Sequence, residues 1–290
     1  MCGIVGYIGR EKAPDILIEG LHRLEYRGYD SAGIAVPTGD GALEVIRREG
    51  KVEELERACA ARELPATMGI GHTRWATHGR PSETNAHPHI DCEGKIAIVH
   101  NGIIENYVQL RDELKAEGHT FRSETDTEIV AHLLEKYYDG DLVAAMAKTV
   151  TRLEGAYGIA AIHVDHPDQI VVTRKDSPIV VGYAAEQQAS LLASDIVAVM
   201  NYTRDVIFLE DGQIAKLTRE GITFVVTNTK KPDRTDTPDT PVKPSNPSKP
   251  SSPAKPTLPQ TGAVWWHVEA LALSGLVFLI LGALDRKTEA

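Results

Sequence analysis

The pattern of apolar and polar positions predicts an α/β (α+β) domain over residues 1–226. Short apolar runs bounded by turn residues are typical of strands, whereas Leu17, Leu21 and Leu24 recur at helical spacing. The strands come in hairpin-like groups, which indicates large antiparallel sheets covered by a few helices. Strands are predicted at 3–9, 30–36, 43–47, 68–73, 96–100, 159–164, 170–173, 179–181, 206–209 and 222–226, and helices at 14–24, 51–62, 107–117 and 127–138.

The pattern changes completely after residue 226. From Pro238 to Pro256 every third residue is proline, which matches the three-residue turn of polyproline II. Such a segment cannot bury a core, so residues 227–257 are predicted to form a disordered spacer. At about 3.1 Å per residue, this spacer could span roughly 95 Å.

A long apolar run follows the spacer. Residues 263–284 would form a helix roughly 33 Å long at about 1.5 Å per residue, enough to cross a bilayer. Trp265 and Trp266 fit an interfacial aromatic belt, and a short charged tail occupies 285–290. A buried core helix is the alternative, but the spacer separates this run from any core. The run is therefore predicted to be a transmembrane helix.

Charge and composition exclude several function classes. The net charge of -10 is distributed as -12 over 1–226, +3 over 227–262 and -1 over 263–290. An acidic domain argues against binding to nucleic acid, and three cysteines cannot form a complete disulfide set. Neither a GxGxxG motif after the first strand nor a GxxxxGK[ST] motif is present, and no cofactor is predicted.

The first three residues, Met1-Cys2-Gly3, carry the sharpest chemical signal. A small second residue permits removal of the initiator methionine, which would leave Cys2 with a thiol and a free α-amine. One residue would then supply both the nucleophile and the general base. By position alone, a buried or incidental cysteine is an open alternative.

Five segments in order resemble the glutaminase domain of class II, N-terminal-nucleophile glutamine amidotransferases. Two of them, YRGYDSAG and TRWATHG, resemble in particular the glucosamine-6-phosphate synthase (glutamine–fructose-6-phosphate aminotransferase) branch. The resemblance covers residues 1–226 and implies the four-layer αββα sandwich of N-terminal-nucleophile hydrolases. The five segments are MCGIVGYIG from Met1, RLEYRGYDSAG from Arg23, HTRWATHG from His72, HNGIIENY from His100 and SETDTE from Ser123.

The resemblance implies a catalytic role for three residues. Cys2 would attack the side-chain amide of glutamine, giving a glutamyl thioester and ammonia. The side chain of Asn101 and the N–H of Gly102 would stabilise the oxyanion. A hairpin turn is the alternative interpretation of Asn101-Gly102, and both interpretations are compatible.

The resemblance also assigns the residues that bind glutamine. Arg74 would bind the α-carboxylate in a bidentate manner, and Asp126 would bind the α-ammonium. Thr77 and His78 would complete the substrate shell, and Trp75 would be the aromatic residue of a closing loop. For Asp126, an acidic residue at a helix N-terminus is the alternative.

No metal site is predicted, because neither the histidines nor the cysteines follow a recognised ligand spacing. Cys59 and Cys92 are interpreted as incidental, and Arg27 is expected at most to orient the N-terminal region. The histidines considered are His72, His78, His87 and His89.

The tail resembles a second family, the Gram-positive cell-wall sorting signals. Residues 258–262 read LPQTG and precede the apolar run and the charged end. The resemblance implies cleavage by sortase between Thr261 and Gly262 and attachment to peptidoglycan. Asp285 and Glu289 depart from the pattern because they dilute the two cations of the tail.

Two expectations concern the chain as a whole. The tail predicts a cell-wall, cell-surface or membrane location, but no signal peptide is visible before Cys2. Three resolutions are open: export by an unrecognised route, anchoring at the cytoplasmic membrane face, or a recombinant remnant with little activity. The length leaves no residues for the sugar-isomerase domains of the synthase. We therefore expect a glutaminase with an unknown ammonia acceptor or separate isomerase, and the alternative is a catalytically silent surface-displayed binding or scaffold protein.

Overall fold

A computed structural model describes residues 2–225, which contain thirteen strands and five helices. The strands are β1 (Gly3–Ile8), β2 (Ser31–Pro37), β3 (Leu43–Glu49), β4 (Met68–Arg74), β5 (His89–Ile90), β6 (Ile96–Ile104), β7 (Gly155–His163), β8 (Ile170–Lys175), β9 (Val180–Ala184), β10 (Ala189–Ala193), β11 (Val206–Phe208), β12 (Ile214–Thr218) and β13 (Gly221–Val225). The helices are α1 (Ala13–Leu24), α2 (Val52–Ala60), α3 (Tyr107–Ala116), α4 (Glu128–Tyr137) and α5 (Leu142–Val150).

The strands form two sheets, and the neighbouring strands pair in antiparallel fashion. The first sheet has seven strands in the order β11-β9-β10-β1-β4-β2-β3. The second has six strands in the order β13-β12-β8-β7-β6-β5. The first strand of the chain therefore lies in the middle of its sheet, which explains why all six of its residues are buried.

Three hydrophobic layers hold the two sheets and the helices together. In β1, Val5 and Tyr7 pack outward against α1, whereas Ile4 and Ile8 pack inward toward the second sheet, as the two-residue period of a strand requires. A third layer joins the second sheet to α3, α4 and α5. The described residues thus form the predicted four-layer αββα arrangement.

The structure corrects the predicted end of one strand. The sequence predicted that the strand beginning at Ile96 would end at Asn101-Gly102, but β6 continues to Ile104. Asn101 and Gly102 pair with Gly158 and Tyr157 of β7. The pair is therefore part of the ladder with β7, and no hairpin turn is formed there.

Four described elements were not predicted: β5, β10, β12 and α5. A recognisable signal was present for α5, because Asp141 caps it by accepting hydrogen bonds from the N–H groups of Val143 (2.8 Å) and Ala144 (3.1 Å). Among residues 2–225, no helix has both the length and the apolar character needed to cross a bilayer. The predicted spacer, sorting motif, transmembrane helix and charged tail lie outside the described residues.

Candidate active site

The pairing of β1 with β4 places Cys2 beside the segment that begins at Arg74. Gly3 is opposite Thr73 in the antiparallel register, so the residue before β1 meets the residues that follow β4. The N–H of Trp75 donates a hydrogen bond to the Sγ of Cys2 at 3.1 Å. Burial raises the pKa of the Cys2 thiol, so at neutral pH the thiol keeps its proton until a base removes it.

The backbone of Cys2 is held from two sides. Its carbonyl oxygen accepts from the Nδ2 of Asn101 at 3.3 Å and from Nη1 of Arg27 at 3.4 Å. Arg27 is fixed in turn by an ion pair with Asp195, at 2.6 Å. This contact matches the orienting role expected for Arg27 and brings together elements that are far apart in the chain.

The side chain of Asn101 is oriented by a chain of buried histidines. The Nε2 of His72 lies 3.0 Å from both the Oδ1 of Asn101 and the carbonyl oxygen of His100. Both partners only accept, so this nitrogen carries the hydrogen, and the Nδ1 of His72 accepts from the Nδ1 of His87 at 2.9 Å. The amide N–H₂ of Asn101 is thereby directed toward Cys2.

The backbone conformation at position 102 requires glycine, apart from the role that the resemblance implies for its N–H. Its φ is 126°, and a Cβ added to it would lie 2.0 Å from the carbonyl oxygen of Ala156 on the neighbouring strand. Only glycine adopts this conformation without a clash.

Arg74 is buried, and its guanidinium already bonds to the loop that follows it. Nη2 donates to the carbonyl of His78 and, at 2.9 Å, to that of Gly79, while Nη1 lies 3.8 Å from Asp30. The guanidinium therefore shapes the wall of the site. A guanidinium has five N–H donors, so binding of a carboxylate can be added to these contacts.

Asp126 directly precedes Thr127, the N-cap residue of α4, but its carboxylate bonds to the end of β6 rather than capping the helix. Its Oδ2 accepts from the N–H of Ile104 at 2.8 Å, and its Oδ1 lies 3.9 Å from the Nδ1 of His78. The alternative role at the N-terminus of α4 is therefore not the one that the carboxylate takes. Asp126 is a buried carboxylate bonded to the end of β6.

Trp75 is 53% exposed and forms part of the rim. A Cβ added to Gly28, whose φ is 79°, would lie 2.6 Å from the Cζ3 of the indole ring. The ring thus rests directly on the backbone of Gly28. Thr77, which is exposed, lies on the same loop.

The structure brings all eight predicted catalytic and glutamine-binding residues together around one cavity of about 270 Å³. Further residues line the cavity that were not predicted from the sequence. Among them, Thr125 and Thr127 lie in the SETDTE motif, which was a usable signal, whereas Ser177 and Pro178 carry none. The eight predicted residues are Cys2, Arg74, Trp75, Thr77, His78, Asn101, Gly102 and Asp126.

Comparisons with known proteins show which family the domain resembles. A family model described as a glutamine amidotransferase domain matches residues 72–201. The chain is 54% identical over 222 residues to a glutamine–fructose-6-phosphate aminotransferase (isomerizing) of Thermus thermophilus, and 55% identical over 223 residues to one of Symbiobacterium thermophilum. Each match covers 77% of this chain and 36% of the relative, so the chain spans just over a third of the length of these relatives.

Solved structures show the same fold. The B. subtilis glutamine phosphoribosylpyrophosphate amidotransferase, solved with ADP and GMP, superposes with a TM-score of 0.67 at 27% identity, covering 77% of this chain and 49% of that one. A glutamine aminotransferase class-II domain protein of Silicibacter pomeroyi gives a TM-score of 0.54 at 16% identity, covering 77% and 98% respectively, which shows likeness of fold alone. The chain therefore contains a class II glutamine amidotransferase domain, close to the glutaminase half of glutamine–fructose-6-phosphate aminotransferase.

Proposed function

We propose that this domain hydrolyses glutamine to glutamate and ammonia, with Cys2 as the nucleophile. The observation that carries the proposal is the convergence of the eight residues, drawn from four separate sequence motifs, on one cavity that contains the Cys2 thiol. A concave site with a few convergent polar groups is the usual form of a small-molecule site.

The first step is attack of the Cys2 sulfur on the side-chain amide carbon of glutamine. Because burial raises the pKa of the thiol, a base must accept its proton. After removal of Met1, the α-amine of Cys2, with an ordinary pKa of about 8, is that base. The carbon–nitrogen bond then breaks, and the amine returns the proton to the departing ammonia.

The negative charge that develops on the amide oxygen needs fixed donors. The Nδ2 of Asn101 is directed toward Cys2, and a primary amide nitrogen has a second hydrogen beyond the one bonded to the Cys2 carbonyl. The N–H of Gly102 is the second donor in this proposal. Water then hydrolyses the thioester, which releases glutamate and regenerates the thiol.

The remaining residues select the substrate. Asp126 is an anion at the cavity wall that suits the α-ammonium, and Arg74 is a cation that suits the α-carboxylate. By binding the α-ammonium and the α-carboxylate of the same glutamine, these two charged side chains would position its side-chain amide beside Cys2.

The test is an assay of ammonia and glutamate with purified protein. We expect Cys2→Ala to abolish both products and Asn101→Ala to lower kcat by about 100-fold, since loss of one oxyanion donor has that effect in other hydrolases. Activity retained by Cys2→Ala would refute the mechanism. A folded wild-type protein without activity would favour the scaffold alternative.

We further propose that the glutaminase domain alone releases ammonia without transferring it to a sugar. The relatives are named for transfer to fructose 6-phosphate, and this chain matches only about a third of their length. With glutamine and fructose 6-phosphate supplied together, we expect glutamate and free ammonia without glucosamine 6-phosphate. Formation of the amino sugar by the purified chain would contradict this proposal.

We also propose that residues 227–290 anchor the domain. The supporting observations are the proline spacer, the LPQTG motif and the apolar run, which follow one another in the order of a sorting signal. In this proposal sortase joins Thr261 to peptidoglycan; otherwise the apolar helix retains the protein at the membrane, with the enzyme on the cytoplasmic face.

The masses of both termini, measured on protein from fractionated cells, test the anchor. A start at Cys2 supports the nucleophile, and an end at Thr261 in the wall fraction supports sortase cleavage. An end at Ala290 in the membrane fraction supports the helix anchor alone. An intact C-terminus on protein found only in the soluble fraction would refute both forms of anchoring.

A further inference from the structure

A second cluster of reactive side chains lies outside the cavity, on the helical side of the six-stranded sheet. We call it the Cys92 cluster. Its ligating atoms all lie within 4.8 Å of one another. Its members come from the turn between β5 and β6, from the loop after α3 and from successive turns of α4: Cys92, His119, His132 and Glu135.

Four of the six distances among the ligating atoms are close to those between the ligands of a tetrahedral metal, and the other two pairs lie within 4.8 Å. The Sγ of Cys92 lies 3.5 Å from the Nδ1 of His132 and 3.6 Å from the Nδ1 of His119. Zinc–sulfur and zinc–nitrogen bonds of about 2.3 and 2.05 Å at a tetrahedral angle place sulfur and nitrogen about 3.5 Å apart. The side chains already have this spacing.

The fourth position is supplied by a carboxylate. The Oε2 of Glu135 lies 2.9 Å from the Nδ1 of His119 and 3.2 Å from the Nδ1 of His132. Two nitrogen or oxygen ligands on a tetrahedral zinc are about 3.3 Å apart, so these two pairs need shifts of only a few tenths of an ångström. One thiolate and one carboxylate also balance the charge of a divalent cation.

We propose that the Cys92 cluster binds one zinc ion. Mixed sulfur, imidazole and carboxylate ligands favour zinc over magnesium or calcium, which prefer oxygen ligands. The sequence analysis excluded Cys92 because its spacing to other ligands follows no motif. The ligands come from three separate segments, so only the fold brings them together.

The surroundings of the cluster are those expected around a metal site. The N–H of Thr120 donates to the Sγ of Cys92 at 3.4 Å. The other ring nitrogen of His132, Nε2, lies 3.7 Å from the Oε1 of Glu128, and both side chains are buried. A carboxylate behind a ligating histidine fixes its ring orientation and raises its basicity as a ligand.

The ion would be structural and would stabilise the segment that carries Asp126. It would join the β5–β6 turn and the α3–α4 loop to α4, and Asp126 lies between His119 and that helix. With four protein ligands, the site has no open position for a catalytic water. The proposal is independent of glutamine hydrolysis, since none of the four ligands lines the cavity.

The test is metal binding by the purified full-length chain without an affinity tag. After treatment with a chelator, we expect uptake of about one zinc ion per chain, measured by mass spectrometry of the metal. Cobalt(II) should give the visible bands of tetrahedral coordination together with a sulfur-to-cobalt charge-transfer band. We expect zinc to raise Tm in the wild-type protein.

Variants separate this cluster from other thiols. Cys92→Ser should remove the charge-transfer band and most of the zinc, and His119→Gln should weaken zinc binding while keeping the band at high cobalt concentration. Cys59→Ser, on α2, and Cys2→Ala, which removes the N-terminal thiol, are the matched controls and should bind zinc as the wild type does.

Two results would overturn the proposal. One is a wild-type protein that takes up no stoichiometric zinc, which would show that the cluster is a hydrogen-bond network centred on Glu135. The other is zinc uptake that is unchanged in folded His119→Gln and Cys92→Ser but lost in Cys2→Ala, which would place the metal at the N-terminus. If Cys92→Ser does not fold, the zinc affinity of His119→Gln decides whether zinc binds at the Cys92 cluster or elsewhere.

Discussion

At the scale of single residues, the contact between Gly28 and Trp75 links backbone conformation to substrate binding. A Cβ at position 28 would lie 2.6 Å from the indole ring, and φ there is 79°. We expect Gly28→Ala to displace Trp75 from the cavity rim and to raise KM for glutamine by about tenfold or more, equivalent to about 1.4 kcal/mol of binding free energy. Steady-state kinetics measure this change.

Gly39 provides a matched control for the effect of backbone strain. Its φ is 84°, and among the described residues no atom outside its chain neighbours lies within 4 Å of an added Cβ. Gly39→Ala therefore carries a similar backbone strain, about 1 kcal/mol, without touching the site. Equal KM changes in both variants would contradict a role for the Trp75 contact.

The family resemblance pointed to eight positions, and the structure brings these eight together around one cavity. The resemblance could not predict the contacts. The bonds from Arg74 to the loop carbonyls, and the bond from His72 that orients Asn101, depend on how β4 and β6 face each other across the two sheets. Ser177 and Pro178 reach the cavity only through tertiary structure.

At the scale of elements, β6 is held at both ends by buried aspartates. The Oδ1 of Asp91 accepts from the N–H of Ile96 at 2.9 Å, and the Oδ2 of Asp126 accepts from the N–H of Ile104 at 2.8 Å. Only the second carboxylate lies in the cavity wall. The two positions therefore allow the charge and the hydrogen bond to be tested separately.

We expect Asp126→Asn to raise KM for glutamine by about 10- to 100-fold while stability changes little. The amide oxygen of asparagine can still accept from the N–H of Ile104. The negative charge proposed to bind the α-ammonium is lost, however, and losing a hydrogen bond to a charged group costs about 1.5–3 kcal/mol of binding free energy. Kinetics and urea unfolding measure the two effects. Asp91→Asn should leave KM unchanged, and a KM unchanged in both variants would refute the proposed role of Asp126.

Helices and strands were predicted correctly where the hydrophobic periodicity was strong, and wrongly where pairing with a distant strand determined the structure. The 3.6-residue spacing of Val130, Leu133 and Leu134 predicted α4, and all three are fully buried. The Asn101-Gly102 pair is a typical turn signal, yet β7 runs alongside it and keeps it in the ladder. The short strands β10 and β12 have apolar runs too brief to distinguish from loops by pattern alone.

At the scale of the whole molecule, four-layer packing removes several histidines from water. His72, His87 and His89 are buried beneath the cavity and contact one another in sequence. Burial lowers the pKa of His72 to about 3 and holds the pKa values of His87 and His89 well below the ordinary range. All three are therefore neutral in the folded domain at pH values where an unfolded chain would protonate them.

This difference makes stability depend on pH in a defined window. Between the unfolded pKa of about 6.5 and the lower folded pKa, the unfolded state binds more protons, so the free energy of unfolding falls as pH falls. Burial raises the pKa of the Glu128 carboxylate, but the nearby His132 and the hydrogen bonds from residues 122–123 outweigh this effect and lower the pKa to about 2. The stabilisation that ionised Glu128 contributes is lost only at lower pH. The fall in the free energy of unfolding that begins near pH 6.5 is therefore due to the histidines.

We expect the free energy of unfolding to drop by about 2 kcal/mol per neutral histidine between pH 7 and pH 5, because each pH unit in this window is worth about 1.4 kcal/mol per proton. Urea unfolding at several pH values measures the slope, and proton uptake on unfolding measures the same quantity independently. His89→Gln removes one of these groups and should reduce the slope, while His100 and His163, whose pKa values burial also lowers, contribute to the slope that remains. A slope near zero in the wild-type protein would mean that these histidines are protonated in the fold. The Nδ1 of His72 would then carry a proton and could not accept from the Nδ1 of His87.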